Sequence, residues 1–165
     1  MKRVLIPIVF LTLLIACSKK DAQSIQGLTS KKTVMQKEEK QKIEALLSTY
    51  KKSLNTSDAA LAQSLYTKEG IFMPTEAPSA IGSENILKSY QFIFSQIQLN
   101  IEFFIDEITV ENNLAYAVTS SKGTTLIHAT QATVPEANRE LFVFEKVAGN
   151  WKIARYMFNK TEPQK

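Results

Sequence analysis

The stretch that decides the fold is Arg139-Glu140-Leu141-Phe142-Val143-Phe144, which is followed by Gly149-Asn150 and then by residues 151–158. Two runs rich in aromatic and β-branched residues on either side of a Gly-Asn pair predict a β-hairpin. The first run is apolar on both faces of its pleat. The sequence therefore predicts that the second face of this sheet is also covered, either by helices or by another copy of the chain.

Before this hairpin, the spacing of apolar residues changes once, after Gln98. Up to Gln98 the apolar residues recur at helical spacing and predict three helices. The second helix begins after a break at residues 55–58, Ser83 is expected to cap the third, and Ile71-Phe72-Met73 is predicted as a short strand stopped by Pro74. The positions expected to face inward are Ile43, Leu46, Leu47, Tyr50 and Leu54 in the first helix, Leu61, Ala62 and Leu65 in the second, and Ile86, Leu87, Tyr90 and Phe94 in the third.

After Gln98 apolar residues recur at every second position, which predicts strands. Asn112-Asn113 predicts a tight turn, Gly123 a bend or bulge in the next strand, and Val134-Pro135 a loop. A helical half followed by a stranded half is typical of the α+β class.

The N-terminus carries the features of a secretory signal. Lys2-Arg3 precedes an apolar run that is too short to span a bilayer, and Leu14-Ile15-Ala16-Cys17 resembles a bacterial lipobox. The resemblance implies that residues 1–16 are removed as a signal peptide and that acylated Cys17 anchors the protein to the non-cytoplasmic side of a cell-envelope membrane. Ser18 implies the outer membrane in a Gram-negative host. An uncleaved leader, or a chance apolar N-terminus with an ordinary cysteine, is the alternative.

Composition divides the remainder of the chain. Residues 17–36 are predicted to be a lipidated flexible tether, because they are rich in Lys, Ser, Thr and Gln and contain few large apolar residues. Residues 37–160 are predicted to form the folded domain, and residues 161–165 a C-terminal tail.

Charge and metal-ligating residues exclude two classes of function. From Gln41 onward, twelve basic residues are balanced by thirteen acidic ones, so no nucleic-acid partner is expected. Cys17 is the single cysteine and His128 the single histidine. A zinc or iron site built on His and Cys is therefore excluded, and only a metal site made wholly of oxygen ligands would remain. Neither a metal nor another cofactor is expected.

Three helices are followed by a curved antiparallel sheet, with Gly149-Asn150-Trp151-Lys152-Ile153-Ala154-Arg155-Tyr156 near its end. This arrangement resembles the nuclear-transport-factor-2-like superfamily, and within it the ketosteroid-isomerase-like and SnoaL-like branch. The similarity covers about residues 41–160. It implies a cone-shaped, cystatin-like α+β fold whose sheet wraps around a long helix and leaves an apolar pocket, often in a dimer. Family members include isomerases, dehydratases, cyclases and many proteins with no known reaction.

The resemblance does not supply a catalytic set. Ketosteroid isomerases use an aspartate base with a tyrosine and a protonated aspartate as oxyanion donors. Tyr50 has a plausible inward place on the first helix, but no aspartate fits the base. Asp106 and Glu107 are neighbours in a strand, so their side chains point to opposite faces. His128 is expected to be a rim or packed residue.

The hairpin supplies the candidate site. A two-residue Gly149-Asn150 turn would place Glu140 opposite Asn159, and a one-residue slip would bring Arg139 inward in place of Glu140. A carboxylate among aromatic residues can act as an acid or base, so Glu140 is the best catalytic candidate; a structural carboxylate is the alternative. Glu140, Phe142, Phe144, Trp151, Arg155 and Asn159 are expected to share a face, and the candidate pocket residues are Tyr50, Phe72, Glu140, Phe142, Arg155 and Asn159.

Two functions remain open at this point. In the first, a lipid-tethered domain holds a small apolar molecule or a partner protein without transforming it. In the second, the domain is an isomerase, dehydratase or cyclase that uses Glu140 or Tyr50 in acid-base chemistry. The lack of a matched base and donor favours the first. A homodimer is expected, because only one apolar face of the Leu141-to-Phe144 strand can meet the helices.

Overall fold

A computed structural model of the protein describes residues 19–161, and its side chains from residue 34 onward. Contacts divide the chain into two units, Met1–Val34 and Met35–Lys165. The sheet lies in the second unit. The proposed signal peptide, Cys17 and residues 162–165 of the C-terminal tail lie outside the described residues.

The elements follow in the order expected of an α+β protein, which confirms the predicted class. The six strands form one sheet in the order β2-β1-β6-β5-β4-β3. The sheet is mixed rather than wholly antiparallel, because β1 runs parallel to β6. The elements are α1 (Lys19–Asn55), α2 (Ala59–Ser64), β1 (Tyr66–Met73), β2 (Ala80–Ile81), α3 (Gly82–Gln96), β3 (Ile97–Glu111), β4 (Leu114–Ile127), β5 (Ala132–Val147) and β6 (Asn150–Lys160).

Helix α1 presents the predicted inward face. Its five predicted positions are all buried, and α2 is capped by Asp58, whose carboxylate accepts a hydrogen bond from the Leu61 amide at 2.8 Å. The start of α1 differs from the prediction, because residues 19–36 are helical rather than disordered. Lys, Gln and Ala favour helix individually, and extending an established helix costs far less than starting one. No helix within residues 19–161 is both long and apolar enough to cross a membrane.

Three element boundaries differ from the sequence-based expectation. Strand β1 begins at Tyr66 rather than Ile71, and its register against β6 shifts on the way. Helix α3 begins at Gly82, with Ile81 and not Ser83 at the capping position. Strand β5 begins at Ala132, so the predicted loop at Val134-Pro135 is part of the strand.

Gly123 allows two strands to approach closely and causes no register shift. A Cβ atom at this position would lie 2.1 Å from the carbonyl oxygen of Asn100 on β3. The pairing of β4 with β3 and β5 is continuous through Gly123. The predicted bulge there was therefore wrong, and the glycine serves backbone packing instead.

Glu39 connects α1 to the β5–β6 hairpin. Its Oε1 accepts a hydrogen bond from Lys42 Nζ at 2.7 Å, and its Oε2 accepts from Trp151 Nε1 at 2.7 Å and from Lys146 Nζ. The pKa of Glu39 is lowered to about 2. The hydrogen bond from Lys146 is the largest cause, and the hydrogen bond from Lys42 is the next. The ionised carboxylate therefore holds the helix against the turn end of the hairpin.

Replacing Glu39 with glutamine should destabilise the domain at neutral pH and hardly at all near pH 2. A lowered carboxylate pKa contributes stability that is present above the unfolded value and is lost as the pH falls through the folded value. A shift from 4.5 to about 2 corresponds to about 3 kcal/mol, and partial exposure of the side chain (17%) reduces the expected effect to about 1–2 kcal/mol.

The measurement is urea unfolding of wild type and Glu39→Gln at about pH 7, 4 and 2.5. The exposed neighbour Glu38 supplies the matched control, Glu38→Gln, which should behave like wild type. A stability difference that stays constant across this pH range would contradict the assignment.

Candidate functional site

A cavity of about 430 Å³ lies between α1, α3 and the inner face of the sheet. This volume falls within the range of about 300–1,000 Å³ that is typical of sites for small molecules. Most of its wall is apolar, and one side is polar. The apolar side includes Leu54, Phe72, Ile93, Leu99, Ile101 and Phe158, and the polar side, here called the polar wall, consists of Ser121, Glu136, Asn138 and Glu140.

The polar wall comes mainly from alternate residues of β5. Glu136, Asn138 and Glu140 are two residues apart and therefore project from the same face of the sheet. They are 8, 8 and 4% exposed. Phe142 and Phe144 continue the same row into the core. One face of one strand thus carries both part of the core and the polar side of the cavity.

Glu140 is a buried carboxyl with a perturbed pKa. Its Oε2 accepts a hydrogen bond from Thr119 Oγ1 at 2.5 Å. Burial raises the pKa of Glu140, the hydroxyls of Ser121 and Thr119 oppose that rise, and the charge of Asp106 adds to it. A carboxyl with a raised pKa beside an apolar cavity can exchange a proton with a bound molecule.

Asn138 and Glu136 form the other part of the polar wall. Asn138 Nδ2 donates to Glu136 Oε1 at 3.1 Å and to Ser121 Oγ at 3.2 Å. Glu136 Oε2 accepts from Thr125 Oγ1 at 2.8 Å and lies 3.5 Å from Lys160 Nζ. The Asn138 amide oxygen is buried and has no hydrogen-bond partner. The wall therefore contains an acceptor that the protein leaves unsatisfied.

Buried tyrosine hydroxyls lie close to one another beside the same cavity. The Tyr90 hydroxyl forms hydrogen bonds with those of Tyr50 and Tyr66, the latter at 2.8 Å. Burial is the main cause of a raised pKa at Tyr50, Tyr90 and Tyr156, all of which line the cavity. These phenols stay neutral at neutral pH, so they can donate hydrogen bonds to a ligand but cannot serve as bases.

The structure places three of the six predicted pocket residues in the cavity wall: Tyr50, Phe72 and Glu140. Phe142 is fully buried behind them, and its ring stacks on Tyr156 with centroids 4.2 Å apart. It supports the wall rather than lining it.

Arg155 and Asn159 were predicted wrongly. Asn159 is exposed and pairs with Arg139 across the sheet, away from the cavity. Arg155 pairs with Val143 and donates to the backbone carbonyl oxygen of Ala154 at 2.7 Å. Neither side chain lines the cavity.

A bulge in the β5–β6 hairpin explains this error. The turn is Ala148-Gly149, both with positive φ, so it lies one residue earlier than predicted. The register then shifts between Val143 and Phe144, and this bulge leaves Ala154 as the extra residue on β6. Without the bulge, Arg155 would pair with Phe142 and share its face. Glu140 faces inward as predicted, but its cross-strand partner is Phe158 rather than Asn159.

Sequence reasoning missed Glu136 and Asn138. The alternation that identifies Glu140 continues upstream through both residues, but Val134-Pro135 predicts a loop just before them. At Pro135 the strand pairs with Thr124 of β4, whereas its pairing with β6 begins only at Asn138. β5 is therefore locally an edge strand, where a proline costs no hydrogen bond of the ladder.

The other titratable residues considered from the sequence lie outside the cavity wall. Asp106 and Glu107 are both exposed. His128 is exposed as well, and its Nδ1 lies 3.0 Å from the carbonyl oxygen of Ser95. The described residues contain no group of three or more side chains suited to hold a metal ion.

Known proteins share this fold. The ketosteroid isomerase-like protein from Erwinia carotovora atroseptica is 29% identical, with a TM-score of 0.70 over 73% of this chain and 95% of that one. A nuclear transport factor 2-like superfamily protein from Salmonella enterica is 20% identical, with a TM-score of 0.67 over 76% and 93% of the two chains, which shows the fold alone. No curated protein matches the chain.

A family model decides the assignment. The model for the SnoaL-like domain matches residues 43–158, from the buried face of α1 to the inner face of β6. This range contains all four residues of the polar wall. The chain therefore belongs to the SnoaL-like domain family.

Proposed function

We propose that this protein is a membrane-tethered SnoaL-like domain that binds a small, mostly apolar molecule in the cavity beside β5. The observation that carries the proposal is the cavity itself, which is apolar on most sides and has one buried polar wall. Sites for small molecules commonly combine apolar surface for affinity with a few polar groups for orientation. Here the aromatic residues supply the apolar surface, and the polar wall supplies the groups that orient the molecule.

Acid-base catalysis is the second candidate, and the raised pKa of Glu140 favours it. In this case Glu140 would transfer a proton and a neutral tyrosine hydroxyl, from Tyr50 or Tyr90, would stabilise an oxyanion. Binding without reaction has the stronger support. The Tyr50 and Tyr90 hydroxyls bond to each other, and Glu140 belongs to a row of hydrogen-bonded side chains that also has a structural role.

The substitution Glu140→Gln separates the two candidates. In a binding domain it should cost about 1–3 kcal/mol of stability, the usual range for disturbing a buried polar group, and leave a bound molecule chemically unchanged. In an enzyme the variant should stay folded and lose turnover by roughly 100-fold or more. Native mass spectrometry of protein purified from its host would identify the bound molecule for this comparison.

The control for Glu140→Gln is Glu145→Gln, an exposed site on the same strand. Recovery of the same molecule, unaltered, after incubation with wild type and both variants is the expected result. Conversion by wild type and Glu145→Gln but not by Glu140→Gln would refute the binding role and establish catalysis.

The membrane tether is proposed from the sequence motif at Leu14-Ile15-Ala16-Cys17. Acyl chains on Cys17 would hold the domain on the non-cytoplasmic side of a cell-envelope membrane, and in a Gram-negative host Ser18 favours the outer membrane.

Cys17→Ser should release the protein from the membrane fraction and abolish labelling by radioactive palmitate, because the hydroxyl cannot form the thioether. Ser24→Ala is the matched control and should fractionate like wild type. Unchanged membrane association and precursor processing in Cys17→Ser would be evidence against lipidation.

Assembly into a homodimer is proposed from the outer face of the sheet. Val118, Leu141 and Met157 stand opposite one another on β4, β5 and β6, and Tyr116 pairs with Val143 beside them. Leu141, Met157 and Tyr116 are 38, 39 and 37% exposed. Contiguous apolar rows on a surface mark an interaction site, whereas single exposed apolar residues are ordinary. A second copy of the chain would cover these rows.

Leu141→Lys should therefore convert a dimer into a monomer, since it places a charge at the centre of the outer face. Val147→Lys, near the turn at the end of the same strand, is the control and should leave the dimer intact. Analytical ultracentrifugation at micromolar concentration measures both. A monomeric wild type would rule out the dimer.

A further inference from the structure

We propose that the molecule bound in the cavity carries a protonated amine, whose N–H groups bond to the Glu136-Asn138-Glu140 row of β5 while an apolar skeleton fills the remaining space. The inference rests on the proposed binding function and specifies its ligand class.

The polar wall has more acceptors than donors. Asn138 Nδ2 is already occupied by Glu136 and Ser121, whereas the Asn138 amide oxygen has no partner. If the Asn138 side-chain amide were reversed, its oxygen would face the Glu136 carboxylate, and two acceptors would meet without a donor. The hydrogen bond to Glu136 therefore fixes which side of the amide carries the oxygen. A buried acceptor without a donor is unfavourable. An N–H group of a ligand is the donor that this side chain lacks, and Asn138 lines the cavity.

The charges around the cavity favour a cation. Lys160 is the sole basic residue among the described residues of the cavity wall, and it is largely exposed. Its contact with Glu136, at 3.5 Å, is weakened by solvent. Glu140 has hydroxyl groups as hydrogen-bond donors, and the nearby Asp106 adds negative charge. A carboxylate ligand would be repelled here, whereas an ammonium group would gain charge-assisted hydrogen bonds.

Aromatic rings complete the environment. Phe72, Tyr156 and Phe158 all line the cavity, and the ring of Phe72 stacks on those of Tyr156 and Phe158 with centroids 5.6 and 6.3 Å apart. The faces of such rings attract cations, and their surface also buries an apolar skeleton. One cavity thus offers acceptors for an ammonium group and apolar surface for the rest of the molecule.

The test compares four small indoles that differ only in the side chain: tryptamine, tryptophol, 3-ethylindole and indole-3-acetate. Isothermal titration calorimetry on the full chain at neutral pH measures their affinities. Tryptamine should bind about tenfold more tightly than tryptophol, since a charge-assisted hydrogen bond replaces a neutral one. Indole-3-acetate should bind most weakly.

Two variants locate the effect. Glu136→Gln and Glu140→Gln should each reduce the affinity for tryptamine toward that for tryptophol, and retained tryptophol binding shows that each variant is folded. Glu145→Gln changes the same charge at an exposed site of β5 and should leave all four affinities as in wild type.

The outcomes distinguish this inference from the proposed function. If 3-ethylindole or indole-3-acetate binds as tightly as tryptamine, the amine class is wrong and ligand binding stands. If tryptamine is preferred but neither variant reduces its affinity, the assignment to the β5 row is wrong. Binding of none of the four at millimolar concentration would overturn the amine class, whereas the binding function is decided separately by native mass spectrometry of protein purified from its host.

Discussion

The period-two pleat of β5 is the constraint on which the rest of the structure depends. Its inner face carries Glu136, Asn138 and Glu140 and then Phe142 and Phe144. The aromatic end packs into the core, where the Phe142 ring lies 5.6 Å from that of Tyr50 on α1. The polar end lines the cavity. Because both sets project from one regular strand, burying the aromatic end also buries the polar end, and the core and the candidate site cannot be positioned independently.

A row of buried polar side chains is stable only if its hydrogen bonds are satisfied. Strand β4 supplies most of the partners: Thr119 donates to Glu140, Thr125 to Glu136, and the Ser121 hydroxyl accepts from Asn138. The apolar stretches of β3, β4 and β5 that face α1 need no such matching. The polar wall is therefore the part of the inner face where two strands must match residue by residue. Within it, the amide oxygen of Asn138 is buried without a hydrogen-bond partner.

Local spacing was enough to predict much of the fold. The buried face of α1 follows from a period of 3.6, which depends only on backbone geometry. The period of 2 places Arg139 and Glu140 on opposite faces of β5, and only the register shows that Glu140 is the one that points inward. The start of α1 did not follow, because composition alone does not distinguish a polar helix from an irregular segment. The parallel pairing of β1 with β6 did not follow either. Those strands are far apart in the chain, and no local pattern encodes which distant strands become neighbours.

The sequence by itself determined the helical and stranded halves and the buried face of α1 that carries Tyr50, because these depend on the spacing of residues close together in the chain. The family follows from the resemblance of its motifs, and the sequence names Phe72 and Glu140 as pocket candidates without deciding which face of β5 points inward. The tertiary structure decided the rest of the site. The bulge that leaves Ala154 unpaired turns Arg155 away from the cavity, and the end of the β6 pairing at Asn138 lets Pro135 lie within a strand. Register and edge position arise from pairing between strands, so they are properties of the assembled sheet and not of either strand alone.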